Sequence, residues 1–391
     1  SVITENAIYP NPNRYFAHGA FFVYFNYMPL FLQHFVAPIE SAYLSAALAK
    51  ILIQCSIMAL LAFCVVGRFR IFSADFVVSA VLIAPFFQTN GYRDYMGIID
   101  HSATYTFFYA LPCLLLLMFY LPFFFDAYGG RNFLKKPLVH VFLLGMSIIV
   151  VFNGALNAGI ILTITALFGI SSYRNAAPKA YIFYFSWLSL LSLYALYIGK
   201  NNAIFVGESI SIAERYARIP QGIFSILTQK IAFPILLGFI AMNIFLLRKY
   251  LDNIEFKKSL RFFAWIGLFS LLYILLLPLG GYKEYRPYIL RYDTIMPITI
   301  ALIFIYAKSS FLLLRHFENK AKYAYLAALA LVAFIFTNAD KIDIHKNECE
   351  RNALEKIASS PDKIVQLHND CLVASWNTIT VAEHSALNGL L

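Results

Sequence analysis

The chain has 391 residues, of which 60% are hydrophobic, 17% aromatic and only 13% charged. Soluble domains carry about 25% charged residues. That deficit, with repeated apolar runs of about 17–25 residues, excludes a soluble globular domain and predicts an all-α, polytopic transmembrane helix bundle. The formal net charge of +10 then belongs to short loops between spans, and no nucleic-acid partner is implied.

Residues 1–39 mix aromatic and polar side chains, with prolines at 10, 12, 29 and 38. They read as an outer-face segment with one or two helices lying in the membrane interface. They lack the basic and apolar regions of a signal peptide, and a further helix upstream of Ser1 is expected. The first span is expected over 40–66, closed by Arg68 and Arg70, and the second over 72–88. A polar turn holding Arg93 and Asp94 leads to a span over 102–125, which ends near Lys135 and Lys136. Residues 137–168 are apolar but broken at Asn153-Gly154-Ala155-Leu156-Asn157, which predicts two short helices meeting at a turn.

Further spans are expected over 181–198, 231–247, 262–279, 296–307 (with a possible extension to 314) and 323–337. Within the long loop 199–230, residues 211–217 read as a short amphipathic helix. The chain thus divides into an interfacial segment (1–39), a bundle (40–339) and a polar tail (340–391). The tail has helical spacing over 347–357, a short strand expected over 364–367 and another helix over 381–391.

Lys and Arg concentrate in the loops at 68–70, 131–136, 174–179, 248–261 and 308–322. The positive-inside rule puts these loops in the cytoplasm, with about ten spans between them and every alternate loop outside. The N-terminal segment, the loops near 90, 200–230 and 280–294, and the tail then share the extracytoplasmic face of a bacterial inner (plasma) membrane. Cys55, Cys64 and Cys113 fall in apolar helices and read as core residues. Cys349 and Cys371 fall in the tail, too far apart for zinc-type spacing, and can form a disulfide in an oxidising compartment.

Polar residues gather at the outer helix ends in four groups. The first is Asn13, Arg14 and Tyr15 with His18. The second is Arg93 and Asp94 with Asp100 and His101. The third is Glu208, Glu214, Arg215 and Arg218. The fourth holds Lys283, Tyr285, Arg286, Arg291 and Asp293. Cations are normally scarce on that face, so the fourth group points to an anionic head group.

Arginine is the better phosphate fork, and two spaced arginines can clamp a diphosphate. Pro287 favours extended chain at Arg286, so that Arg286 and Arg291 can approach one ligand. The tyrosines at 282, 285, 288 and 292 fit an interfacial belt and could also stack on a sugar ring. Asp100 could act as a general base on an acceptor hydroxyl, bind a divalent metal, or cap the helix that follows it. His18, His34 and His140, each alone among apolar residues, read first as structural. No Walker loop, HExxH, Gly-x-Ser-x-Gly or Cys-x-x-Cys pattern occurs.

The order of elements resembles a known class. Tyr27-Met28-Pro29-Leu30-Phe31-Leu32 closes a polar, aromatic first segment, and a helix of small residues over 42–52 follows. Then comes the turn Tyr92-Arg93-Asp94-Tyr95-Met96-Gly97-Ile98-Ile99-Asp100-His101. Over about residues 10–310 this resembles the GT-C type of polytopic glycosyltransferase, which takes sugars from polyprenyl-phosphate donors on the outer face. The stretches Asn13-Arg14-Tyr15-Phe16-Ala17-His18 and Tyr285-Arg286-Pro287-Tyr288-Ile289-Leu290-Arg291-Tyr292-Asp293 are similar to segments of bacterial membrane proteins near that class.

The resemblance implies a donor phosphate on Arg286 and Arg291 and an acceptor near Asp94 and Asp100. It implies membrane lipid and a polyprenyl-phosphate-linked sugar as partners, and no cofactor beyond a divalent metal at most. That class commonly carries an acid pair in its first outer loop. None occurs in residues 1–39, where Glu5 is the only carboxylate, so the acid is expected at Asp100 or upstream of Ser1. The competing expectations are a transporter or flippase of lipid-linked or anionic solutes, a polysaccharide polymerase or ligase, and a membrane scaffold whose tail binds a partner.

Overall fold

A computed structural model describes residues 5, 7–8, 11–87, 98–129, 132–172, 178–202, 210–228, 231–280, 288–339, 347–362, 364–367 and 373. Among them every regular element is a helix. A 3-10 turn, Pro12–Arg14, leads into α1 (Tyr15–Leu32) and α2 (Pro38–Val66). Then come α3 (Ala74–Ile83), α4 (Ala103–Tyr128), α5 (Pro137–Val151), α6 (Asn157–Ser172) and α7 (Lys179–Gly199). The short α8 (Ile212–Ala217) and α9 (Ile219–Thr228) precede α10 (Ala232–Tyr250), α11 (Asn253–Leu276), α12 (Met296–His316) and α13 (Asn319–Thr337). The tail contributes α14 (Glu348–Ser359).

By length and composition, seven helices among the described residues can cross a membrane: α2, α4, α7, α10, α11, α12 and α13. Three shorter apolar helices, Ala74–Phe87, Pro137–Val151 and Asn157–Ser172, accompany them. This is the make-up of an integral membrane protein. Large apolar side chains such as Phe245, Leu190 and Phe334 stay exposed on the helix surfaces, as the lipid-facing side of a bundle requires.

The helix ends follow local chemistry. Ser73 accepts the Phe76 amide (3.3 Å) at the start of α3. Asp252 accepts the amides of Ile254 and Glu255 (both 2.8 Å) and so starts α11 well ahead of its apolar run. Ser211 caps α8 through the Glu214 amide (3.1 Å), so the short helix expected over 211–217 is present, without a buried residue. The span expected over 296–307 runs on to His316. The helix expected over 347–357 is present as α14, whereas residues 364–367 form no strand. They lack a described neighbouring strand to pair with, and an isolated strand cannot satisfy its backbone. The helix expected over 381–391 lies outside the described residues.

The chain divides into two compact units. The larger comprises 1–23 and 49–340, and the smaller 24–48 and 341–391. In the larger unit α12 is the central helix: 72% of its apolar window is buried, against 17% for α11. A closed polar network ties it to α10 and α13. Asn243 donates to Ser309 (2.9 Å) and Ser310 (3.0 Å), and the Tyr325 hydroxyl donates to the Asn243 side-chain oxygen (2.8 Å) and lies 3.0 Å from the Ser310 hydroxyl. Such interhelical bonds act as glue where apolar burial gives no preference for a partner helix. His140 is structural, as expected, with its two ring nitrogens against the Tyr184 hydroxyl (2.9 Å) and the Leu134 carbonyl (2.8 Å).

In the smaller unit Arg351 pairs with Glu40 and lies over the Tyr43 ring (5.5 Å), and Tyr43 donates to Glu350 (2.9 Å). Cys349 is disulfide-bonded, and Cys371 lies outside the described residues. Cys113 is buried as expected and Cys64 partly so, but Cys55 is exposed, on the face of α2 away from the buried Ile53 and Ile57.

Candidate functional site

The site is built on an irregularity at the start of α4. Pro112 has no amide for the Phe108 carbonyl, and its ring would collide with that carbonyl in a regular helix. The helix widens just before it into a π turn over Thr106–Ala110, where the Leu111 amide bonds to the Thr106 carbonyl. Such turns are rare and recur at functional sites. Here the turn presents Phe108 and Tyr109, and three other pieces of the larger unit converge on them.

The first piece is the 3-10 turn and the start of α1. Asn11 adopts a left-handed conformation (φ 49°), which asparagine tolerates better than most residues. It is held by a reciprocal pair of bonds with Asn202, its amide and its side-chain oxygen each at 3.1 Å. This delivers the Arg14 guanidinium 5.8 Å from the Phe108 ring centre and 5.4 Å from that of Tyr109. Among the described residues Arg14 meets no carboxylate at ion-pair distance, and its buried Nε has no hydrogen-bond partner. One turn on, His18 stacks on Phe108 (4.5 Å between rings, 24°) with its buried Nε2 also unpartnered. Burial, and next the charge of Arg14, hold the His18 pKa below its ordinary value.

The second piece is the break between α5 and α6. The Phe152 carbonyl accepts the Phe16 amide (3.2 Å), and the Asn157 side chain donates to the Val150 carbonyl (2.5 Å). A Cβ on Gly154 would lie 3.1 Å from the Pro112 side chain, so glycine permits the close approach to α4. These are the two short helices meeting at 153–157 that the sequence predicts.

The third piece is the segment ahead of α12. Asp293 lines, with Phe108, Tyr109 and Gly154, a cavity of about 10 Å³, room for one water. Its carboxylate takes the Arg291 guanidinium in a two-pronged pair (3.0 and 3.1 Å). Arg291 also donates to the Tyr288 carbonyl (3.1 Å), and Thr294 locks the turn by accepting the Arg291 amide (2.9 Å). Three of the five guanidinium N–H groups are thereby used inside the protein.

Asp100 and His101 lie just before α4. Asp100 accepts the Ser102 amide (2.9 Å), a turn-type bond that leads into the helix. Lys50, from α2, donates to the His101 carbonyl and is attracted by the Asp100 charge. The expected residues Arg14, His18 and Asp293 thus meet around one pair of rings, with Arg291 behind Asp293 and Asp100 and His101 at the head of the same helix. Arg93, Asp94, Lys283, Tyr285 and Arg286 lie outside the described residues, as does Glu208.

Sequence reasoning missed Lys50, which hides in a run of small and apolar residues. An ionisable residue inside an apolar span was the signal available. It missed Phe108 and Tyr109 too, for which Pro112 in an aromatic run was the signal. No group of three or more His, Cys, Asp or Glu able to hold a metal forms among the described residues. No family model matches the chain, and neither curated proteins nor solved structures give a significant match.

Proposed function

We propose that the protein is a membrane glycosyltransferase of GT-C type, moving a sugar from a polyprenyl-phosphate donor to an acceptor on the extracytoplasmic face. The observation that carries this reading is the Arg14 guanidinium. It lies over the Phe108 and Tyr109 rings with no carboxylate at ion-pair distance among the described residues, and Asp293 lines a cavity against the same two rings. The reading counts the seven long apolar helices as spans and takes the three shorter ones as spans too, about ten in all. The five basic loops would then face the cytoplasm, and the tail with its bridged Cys349 the oxidising side of a bacterial inner membrane.

In this reading the donor's lipid tail lies between helices and its phosphate meets Arg14. Arg291, paired with Asp293, holds the wall of the site beside it. The acceptor hydroxyl attacks the sugar's anomeric carbon as the carbon–oxygen bond to phosphate breaks. Asp100 takes the hydroxyl proton, and polyprenyl phosphate departs with the bonding pair. Cations fixed before the reaction are well suited to the charge that grows on the leaving phosphate.

The test uses the full chain in liposomes with polyprenyl-phosphate sugars, and measures release of polyprenyl phosphate. Asp100→Asn keeps the capping oxygen, so it should melt as wild type while release falls about 10²–10⁴-fold. Asp100→Ala should lose activity and about 0.5–2 kcal/mol of stability. Full activity in Asp100→Asn would return this residue to a cap. Passage of intact donor across the vesicle without release would replace the transferase by a flippase.

A further inference from the structure

The opposite end of the larger unit holds a second, separate cavity. It opens between α2, α4, α11 and α12, has a volume of about 220 Å³, and is walled by aromatic side chains that include Phe124, Tyr128 and Phe262. Two ammonium groups, Lys258 and Lys308, line it beside one carboxylate, Glu255. Glu255 is already within 3.5 Å of His316, so positive charge is in excess.

Lys308 is the unusual member. It sits inside α12 between Ala307 and Ser309, both of which are buried. Its Nζ reaches across to the Val65 carbonyl (2.7 Å), one of the last carbonyls of α2. That contact uses one of its three N–H groups. An ammonium drawn into a bundle is costly unless it meets an anion or water. The sequence reading assigned Lys308 to an inner loop and gave it no task.

We propose that this cavity binds a phosphate ester, with the phosphate on Lys258 and Lys308 and its organic part against the aromatic wall. Basic pockets between spans on the cation-rich side of a membrane protein are suited to anionic lipid head groups. A soluble phosphate ester has the same chemistry. The site is independent of the transferase reading. It lies about 21 Å along α2 from Lys50, taking 1.5 Å per residue over the fourteen residues to Cys64, and shares no residue with the first site.

The experiment measures the melting temperature of the full chain in nanodiscs of phosphatidylcholine alone or with phosphatidylglycerol, and separately with glycerol phosphate added. Phosphatidylglycerol should raise the melting temperature by several degrees. Lys308→Met and Lys258→Gln should each remove most of that rise, while Lys257→Gln on the exposed neighbouring position should keep it. Lys258 is exposed, so its variant folds even if Lys308→Met does not. A rise with glycerol phosphate as well, lost in the same variants, would identify a soluble ester as the ligand. A rise that survives Lys258→Gln in full, or no rise with either compound, overturns the proposal. Polyprenyl phosphate release from the first site should be unchanged in Lys258→Gln, so failure here leaves the transferase reading standing.

Discussion

The two ends of the bundle handle charge in different ways. Away from the Lys308 cavity, the cation-rich end keeps its ions at helix termini and in water. Arg315 meets Asp75 at 2.5 Å with the side chains 54% and 37% exposed. At the site end Arg291 and Asp293 are only 28% and 13% exposed, and Arg14 rests on rings. Exposed pairs are worth about 0–1 kcal/mol, whereas ions withdrawn from water are costly unless well matched. Charge at the first end therefore needs only the positive-inside rule to account for it. Charge at the second end needs a ligand or an architectural task, and Arg14 and Arg291 divide those two.

Arg14→Gln should break the contrast most strongly. Affinity for polyprenyl phosphate, measured by titration in detergent, should fall by an amount equivalent to about 2–5 kcal/mol, the usual cost of truncating one side of a buried charged contact. Arg14→Lys should not restore it, because a point charge cannot keep both the flat stacking on the rings and a forked grip on phosphate. Arg315→Gln at the other end should leave this affinity unchanged. Equal losses in both variants would mean that the protein's overall charge, and not the site, attracts the lipid.

The architectural half is tested by Arg291→Gln. Asp293 would keep the Thr294 amide (3.0 Å) but lose its fork. Stability measured by thermal melting should drop by about 1–3 kcal/mol, less than for a fully buried pair because both side chains retain some exposure. The double variant Arg291→Gln with Asp293→Asn should recover much of the loss. An unperturbed single variant would assign Arg291 to the ligand instead, as the sequence alone suggested.

Hydropathy and loop charge made the bundle legible because both are summed over many residues. The spans expected over 40–66, 181–198 and 323–337 each lie within an observed helix. Boundaries failed where charge continued a helix past its apolar run. The span expected over 262–279 starts instead at Asn253, since Asp252 caps a turn that also carries Lys257, Lys258 and Arg261. The site was legible as residue types and not as pairings. Arg14, His18, Arg291 and Asp293 could each be picked as polar residues near helix ends. That Arg291 and Asp293 would satisfy each other depends on the Thr294-locked turn, and that Arg14 would lie on Phe108 and Tyr109 depends on the π turn. Both arise from backbone geometry that periodicity does not encode.

The smallest expected effect concerns His18, the one group near Arg14 among the described residues that can change charge close to neutral pH. Burial, and then the Arg14 charge, lower its pKa from 6.5. The folded protein therefore binds fewer protons here than the unfolded chain, so the stability linked to His18 is present above pH 6.5. It is lost as pH falls through that value toward the lower folded pKa. A series of melting temperatures from about pH 8 to about pH 5 should decline more steeply for wild type than for His18→Phe, which keeps a ring against Phe108 and removes the proton site. Identical slopes would show that the imidazole is not held neutral. The same series ties the residue to the ligand: an anion on Arg14 offsets the charge that disfavours the imidazolium. Saturating polyprenyl phosphate should then flatten the wild-type slope toward that of His18→Phe, and a slope untouched by the lipid would place the phosphate away from Arg14.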